Sequence, residues 1–196
     1  MADDPTPRDG GPGAPPDAPQ GQRANGGLDK SNMIRAGLFG IQDGMVSNFG
    51  LIMGVAGAQV APEAVLIAGI AGLLSGGLSM GAGEYVSVAT QREMLAAGQV
   101  VEEGDNVRAT RAAFASSGLF ALGAFIPLLP FLFTAGIPAV VISSILTGVS
   151  LFTAGAVLTK LTRRSPLLSG VRILVIGGGA GILAYLVGSA LGVAVG

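Results

Sequence analysis

Two carboxylates and a thioether stand where little else in the chain is polar. Asp43 lies inside an apolar run from Ile34 to Val60, and Glu84 inside a second run from Ala64 to Val88. Met80 precedes Glu84 by four residues, so on a helix the two share a face. Asp43 and Ser47 share a face in the same way, with Gln42 and Asn48 beside them. An ionisable side chain in hydrocarbon costs at least about 2.5–3.5 kcal/mol and usually faces a bundle interior or a water-filled path. Neither acid has a Lys or Arg at depth to pair with. Each is therefore protonated, or charged and neutralised by a bound cation, and either state serves a cation or proton path. Carboxylates suit Mg²⁺, Ca²⁺ and Mn²⁺, sulfur biases a site toward softer metals, and Fe²⁺ accepts both. The plainer roles stand beside this one: packing for Met80, snorkelling to the interface for Glu84, and a structural role for Asp43.

The rest of the composition narrows the chemistry further. The 196 residues contain no Cys, His or Trp. Disulfides, thiolate metal sites and imidazole relays are thereby excluded, and any metal must be held by oxygen or by Met sulfur. No catalytic constellation is found, and an enzyme is not expected. The net charge of −1 comes with no basic patch, so nucleic acid is not an expected partner. Half of the chain is hydrophobic and only 12% is charged. Ordinary soluble domains carry about 25% charged residues, so this chain lacks the polar residues to cover a globular surface.

These features require membrane helices to position the acids. A bilayer takes about 20 mostly apolar residues per helix. The sequence accommodates five such spans, at about 34–60, 64–89, 112–134, 138–159 and 172–195. The third and fourth share one uncharged stretch between Arg111 and Lys160, divided by Gly and Pro in the segment 134–138. Residues 1–31 form a Pro- and Gly-rich segment expected to be a disordered tail. That segment has no apolar region of the kind a secretory signal needs.

Orientation tests the helix count independently. With five spans, one side of the membrane receives Arg8, Arg23, Lys30 and Arg35, then Arg92, Arg108 and Arg111, then Lys160, Arg163, Arg164 and Arg172. The other side receives none. The positive-inside rule makes the first side cytoplasmic. The fold class expected is an all-α membrane protein of five transmembrane helices, with the N-terminus in the cytoplasm and the C-terminus outside. The Ala- and Gly-rich composition fits a bacterial chain in a plasma membrane.

Glycine spacing bears on packing. Gly40 and Gly44, and likewise Gly50 and Gly54, are spaced as helix-packing seams that could include a dimer face. The run 177–181, four of whose five residues are Gly, resembles a phosphate loop only superficially. No strand precedes it and it lies within an apolar span, so close helix packing is expected.

Several of these segments carry a family resemblance. The segment Gly40-Ile-Gln-Asp-Gly-Met-Val-Ser-Asn48, followed by Gly54-Val-Ala-Gly-Ala58, resembles the first helix of the vacuolar iron transporter family, whose members include yeast vacuolar iron and manganese carriers. Gly76-Gly-Leu-Ser-Met-Gly-Ala-Gly-Glu-Tyr-Val-Ser-Val-Ala-Thr-Gln-Arg-Glu93 is similar to its second helix, and Leu122-Gly-Ala-Phe-Ile-Pro-Leu-Leu-Pro130 to its third. The resemblance covers the chain from about Asn32 to its end. It implies five helices and a homodimer with the ion path near the dimer axis. It also implies export of Fe²⁺ or Mn²⁺ from the cytosol in exchange for protons, with no permanently bound cofactor. The family's path aspartate falls on Asp43, its path methionine on Met80, and the glutamate of its Gly-Glu-Tyr motif on Glu84; Gln42, Ser47 and Asn48 are further candidates to line the path. Many members carry a long Glu-rich helical domain between helices two and three that binds metal on the cytosolic side. Here only Glu93, Glu102, Glu103 and Asp105 remain, in a loop of about twenty residues, as in short nodulin-like plant members. Glu102, Glu103 and Asp105 are thus weak candidates for cytosolic metal capture. A non-transporting membrane scaffold or sensor is the rival expectation, and a carrier for a small organic solute a third.

Overall fold

The computed structural model describes residues 21–98, 109–162 and 165–195, and all their regular structure is helical. The elements are α1 (Gly21–Gly57), α2 (Pro62–Ala96), α3 (Ala109–Leu128), a 3-10 turn (Leu129–Leu132), α4 (Gly136–Thr162) and α5 (Pro166–Val195). The expected runs 64–89, 138–159 and 172–195 each fall within one helix, the run 34–60 outlasts α1 by three residues, and the run 112–134 is divided between α3 and the 3-10 turn after it. At their polar-loop ends the helices extend past the runs, because a helix satisfies its own backbone hydrogen bonds and can continue into polar sequence. The largest such difference is at α1, which begins at Gly21, inside the segment 1–31 expected to be a tail. Residues 1–20 lie outside the described residues.

The turns follow from local chemistry. Gln59 takes a left-handed conformation (φ 55°) just past the end of α1. Pro62 then opens α2, where its missing N–H costs nothing, and Glu63 follows in the first turn, near the positive end of the helix dipole. Pro127 and Pro130 lie within four residues, and a proline clashes with the carbonyl four residues before it. α3 accordingly tightens into the 3-10 turn, and the Ser143 hydroxyl donates to the Pro127 carbonyl oxygen (2.7 Å). Gly136, with φ 64°, starts α4, so the 134–138 segment is the divider expected there.

Glycines let the backbones nearly touch. A Cβ on Gly44 would overlap the Phe120 carbonyl, and one on Gly123 the Ile41 carbonyl, which seats α1 directly on α3. Higher up, Gly57 meets Tyr185, and Gly188 and Gly192 meet Gly54 and Ala58, which seats α1 on α5. Gly155 and Gly170 do the same between α4 and α5. α2 packs on α3 and more thinly on α1. Within the glycine run, Gly177 faces Leu151 and Val46, and Gly181 faces the Phe49 ring, as close packing requires. Gly54 sits on its seam, whereas Gly50 meets nothing within 4 Å.

Two small apolar clusters fill the interior: Phe49, Ile52, Met53, Val65 and Leu128, and then Met45, Leu151 and Ile173. Outward faces are apolar too, with Val175, Ile176, Ile182, Leu183 and Leu186 of α5 all exposed. Water would not tolerate such faces and hydrocarbon does. Among the described residues, α2 to α5 are each long and apolar enough to cross a bilayer, over Pro62–Met94, Ala109–Leu132, Gly136–Thr159 and Pro166–Ala194. The chain is a multi-pass membrane protein. α1 is set apart from the other four by Gln42, Asp43, Ser47 and Asn48, which lower its hydropathy.

Candidate functional site

α1 and α2 run antiparallel, and α3 holds them together from behind. The Asn48 side chain donates from Nδ2 to the Ala124 carbonyl oxygen of α3 (2.7 Å). The Ser117 hydroxyl of α3 donates to the Gly77 carbonyl oxygen of α2 (2.7 Å). Between α1 and α2 a groove of about 560 Å³ remains, floored by the Phe120 ring. That ring occupies the space a Cβ on Gly76 would take.

From α1 the groove receives Phe39, Asp43, Ser47, Asn48 and Leu51. From α2 it receives Gly72, Ser75, Gly76, Ser79, Met80, Gly83 and Glu84. Asp43 thus lines one groove with Met80 and Glu84, about 40 residues further along the chain, together with Ser47 and Asn48. Gln42 does not line it: on a helix it lies about 100° round from Asp43. Glu102, Glu103 and Asp105 lie outside the described residues.

Burial is graded across the site. Asp43 and Ser47 are exposed in the single chain, Met80 and Glu84 are half-buried, and Asn48 is buried. Gly40 seats the thioether of Met80, whose Sδ is 3.8 Å from where a Cβ on that glycine would stand. The Ser47 hydroxyl donates to the Asp43 carbonyl oxygen (2.6 Å), so its proton is used and its oxygen remains an acceptor.

Two polar groove residues were not singled out from the sequence. Ser75 and Ser79 are four apart and line the wall of α2. The signal was present as the recurrence 72, 75, 76, 79, 80, 83, 84, which follows one face of a helix in steps of three and four.

The donor set has a definite chemical character. Among the described residues no group of three or more His, Cys, Asp and Glu converges. Two carboxylates balance the charge of a divalent cation, and one thioether with hydroxyl and amide oxygens adds neutral donors. Such a set, completed by water, has the chemistry to hold a first-row divalent ion without enclosing it. Incomplete enclosure suits passage better than storage.

The sequence model of the VIT family matches residues 34–107 and 96–189. A protein of Oryza sativa subsp. japonica named vacuolar iron transporter homolog 5 is 39% identical over 108 residues, which is 51% of this chain and 51% of that protein. Vacuolar iron transporter homolog 4 of Arabidopsis thaliana is 36% identical over 106 residues, 51% of this chain and 54% of its own length. The chain therefore spans about half the length of these two relatives. The alignment with vacuolar iron transporter homolog 2 of Oryza sativa subsp. japonica is longer, at 33% identity over 177 residues, 82% of this chain and 91% of that protein. These relatives are plant proteins named for the vacuole, and they give no support to the expectation of a bacterial plasma membrane.

Proposed function

The chain belongs to the VIT family, and from that premise we propose that it is a proton-coupled carrier moving Fe²⁺ or Mn²⁺ out of the cytosol. The family is one of transporters rather than enzymes. The observation that carries the reading is the single groove between α1 and α2 that Asp43, Met80 and Glu84 line together. An acid in such a groove holds either a cation or a proton, so loading one displaces the other, and exchange follows from that competition. Met80 adds a soft donor that favours Fe²⁺ over alkaline-earth ions.

In this reading α1 is the fifth transmembrane span, and residues before it form a cytoplasmic tail. The Lys and Arg bias supports an N-terminus in the cytosol and a C-terminus on the far side. The Phe39 and Glu84 end of the groove then faces the cytosol. A second copy of the chain covers the open side of the groove, which gives a homodimer with the path near its axis. Composition alone is what favours a bacterial plasma membrane as the setting.

The test is uptake by proteoliposomes under an imposed pH gradient, with Fe²⁺ and Mn²⁺ supplied separately. Gradient-driven accumulation of either ion, lost in Asp43→Asn, is expected. Uptake that ignores both the gradient and the Asp43 substitution would remove the proposal.

A further inference from the structure

The groove has an end, and its construction is informative. From Phe39 to Leu51 on α1, and from Glu84 to Gly72 on α2, it extends over twelve residues of helix, about 18 Å at the helical rise. Beyond Gly72 the helices close. Leu51 reaches across to Gly72, its Cδ2 2.5 Å from where a Cβ would stand. One turn further, Gly69 meets Leu128 and Ile52, which belong to the apolar cluster with Phe49, Met53 and Val65. A charged ion cannot enter that cluster while α2 stays where it is.

The last polar side chain that α1 sets before this plug is Asn48, which is 2% exposed. Its Nδ2 is committed to the Ala124 carbonyl, so the amide cannot flip and its oxygen is held on the opposite side. That oxygen, Oδ1, lies against α2, 2.6 Å from where a Cβ on Gly72 would stand. It is buried and has no hydrogen-bond partner among the described residues. A buried acceptor left unpaired disfavours the packing that buries it. Only glycine at position 72 lets α2 approach so closely.

We propose that the Asn48–Gly72 contact is the gate ending the metal groove, and that the Asn48 amide oxygen is the neutral ligand a divalent cation meets as α2 parts from α1 there. The inference rests on the reading of the groove as a metal path. Asn48 lies five residues beyond Asp43, about 7.5 Å further along α1. A cation leaving the carboxylates must shed their charge before crossing apolar surroundings. A neutral oxygen at that step holds the ion weakly enough to release it. The unpaired acceptor is also satisfied only when the gate opens, so ion arrival and helix separation favour one another. α2 is the less anchored of the two, since it packs on α3 and only thinly on α1, whereas α1 packs on α3, α4 and α5.

The experiment uses the full chain and Mn²⁺, measuring equilibrium binding in detergent and turnover in proteoliposomes. Gly72→Ala sets a methyl 2.6 Å from where Oδ1 stands, so α1 and α2 can no longer close on one another as they do here. It should slow turnover about tenfold while Mn²⁺ affinity stays within about threefold of wild type. Asn48→Asp puts a charge at the gate, and should bind Mn²⁺ at least as tightly while turning over more slowly. Wild-type turnover in a folded Gly72→Ala protein overturns the gate. So does a parallel loss of binding and turnover in both variants, which marks a packing role. If Gly72→Ala fails to fold, Asn48→Asp decides by the same comparison, and a failure of both to fold also assigns the contact to packing. Asp43→Asn is measured alongside. If it binds and transports Mn²⁺ normally, the metal path itself is wrong; if it is inactive while the gate variants behave as wild type, only the gate is.

Discussion

The thioether of Met80 lies over Gly40, with its Cε 3.4 Å and its Sδ 3.8 Å from where a Cβ on that glycine would stand. The contact is of ordinary van der Waals length, so Met80 is seated without being clamped. It is half-buried and lines the same groove as Asp43 and Glu84. Met80→Leu conserves volume and apolarity, and such swaps usually cost less than about 1.5 kcal/mol. Folding should therefore survive. Fe²⁺ transport should fall more than Mn²⁺ transport, because the lost donor is soft. Near-wild-type rates for both ions would assign Met80 to packing alone.

Asp43→Asn and Gln42→Ala form a matched pair. The first residue lines the groove and the second, adjacent in sequence, does not. Asp43 is exposed in the single chain, so removing its charge should leave thermal stability near wild type and abolish transport. Gln42→Ala should leave both largely intact. Transport by a well-folded Asp43→Asn protein at the wild-type rate would take Asp43 out of the mechanism.

The acids were legible in the sequence because charge inside an apolar run is expensive wherever it falls. Neighbours were harder to place. Gln42 stood beside Asp43 in the chain and was a candidate for that reason, but one residue of helix turns it away from the groove. Ser75 and Ser79 carry no charge to mark them, and Ser75 bonds its own helix, donating to the Gly72 carbonyl oxygen as Ser144 and Ser150 do to those of Val140 and Leu146. Only the partner helix shows which serines face a cavity. The helix count was legible from apolar length, yet α1 differs in hydropathy from the other four because the groove residues sit on it. The start of α1 at Gly21 had no apolar signal at all.

Gly44 and Gly50 look alike in sequence and should behave differently. A Cβ on Gly44 would overlap the Phe120 carbonyl and stand 2.9 Å from the Ala124 nitrogen, both backbone atoms of α3. Backbone cannot yield unless a helix moves, so Gly44→Ala should cost about 1–3 kcal/mol. Gly50 meets nothing within 4 Å, and Gly50→Ala should be neutral or slightly stabilising through helix preference. Thermal melting in one detergent compares the two. Equal midpoints would mean that α1 and α3 do not approach this closely.

Topology can be read with single cysteines, since the chain contains none. All eleven Lys and Arg fall on one side if there are five spans. An impermeant thiol reagent applied outside intact cells should label a cysteine at position 63 and spare one at position 103. Labelling of position 103 from outside would sink the five-span orientation.

The acids between α2 and α3 raise the question of where metal is first caught. Glu102, Glu103 and Asp105 lie close in sequence to Arg108 and Arg111, which compete with a cation for the carboxylates. A tight site needs several oxygens held in place. Glu84 differs, because it is part of a helix and lines the groove at the end opposite Gly72. Its backbone is already ordered, so an ion pays nothing further to organise it. Replacing all three loop acids by Gln should change half-saturation for Fe²⁺ or Mn²⁺ by about threefold or less, under roughly 1 kcal/mol. Glu84→Gln should damage transport far more. The comparison is uptake against free metal concentration, with both variants in vesicles prepared alike. Loss of transport in the triple variant, with Glu84→Gln near wild type, would move the capture site out of the groove and into the loop.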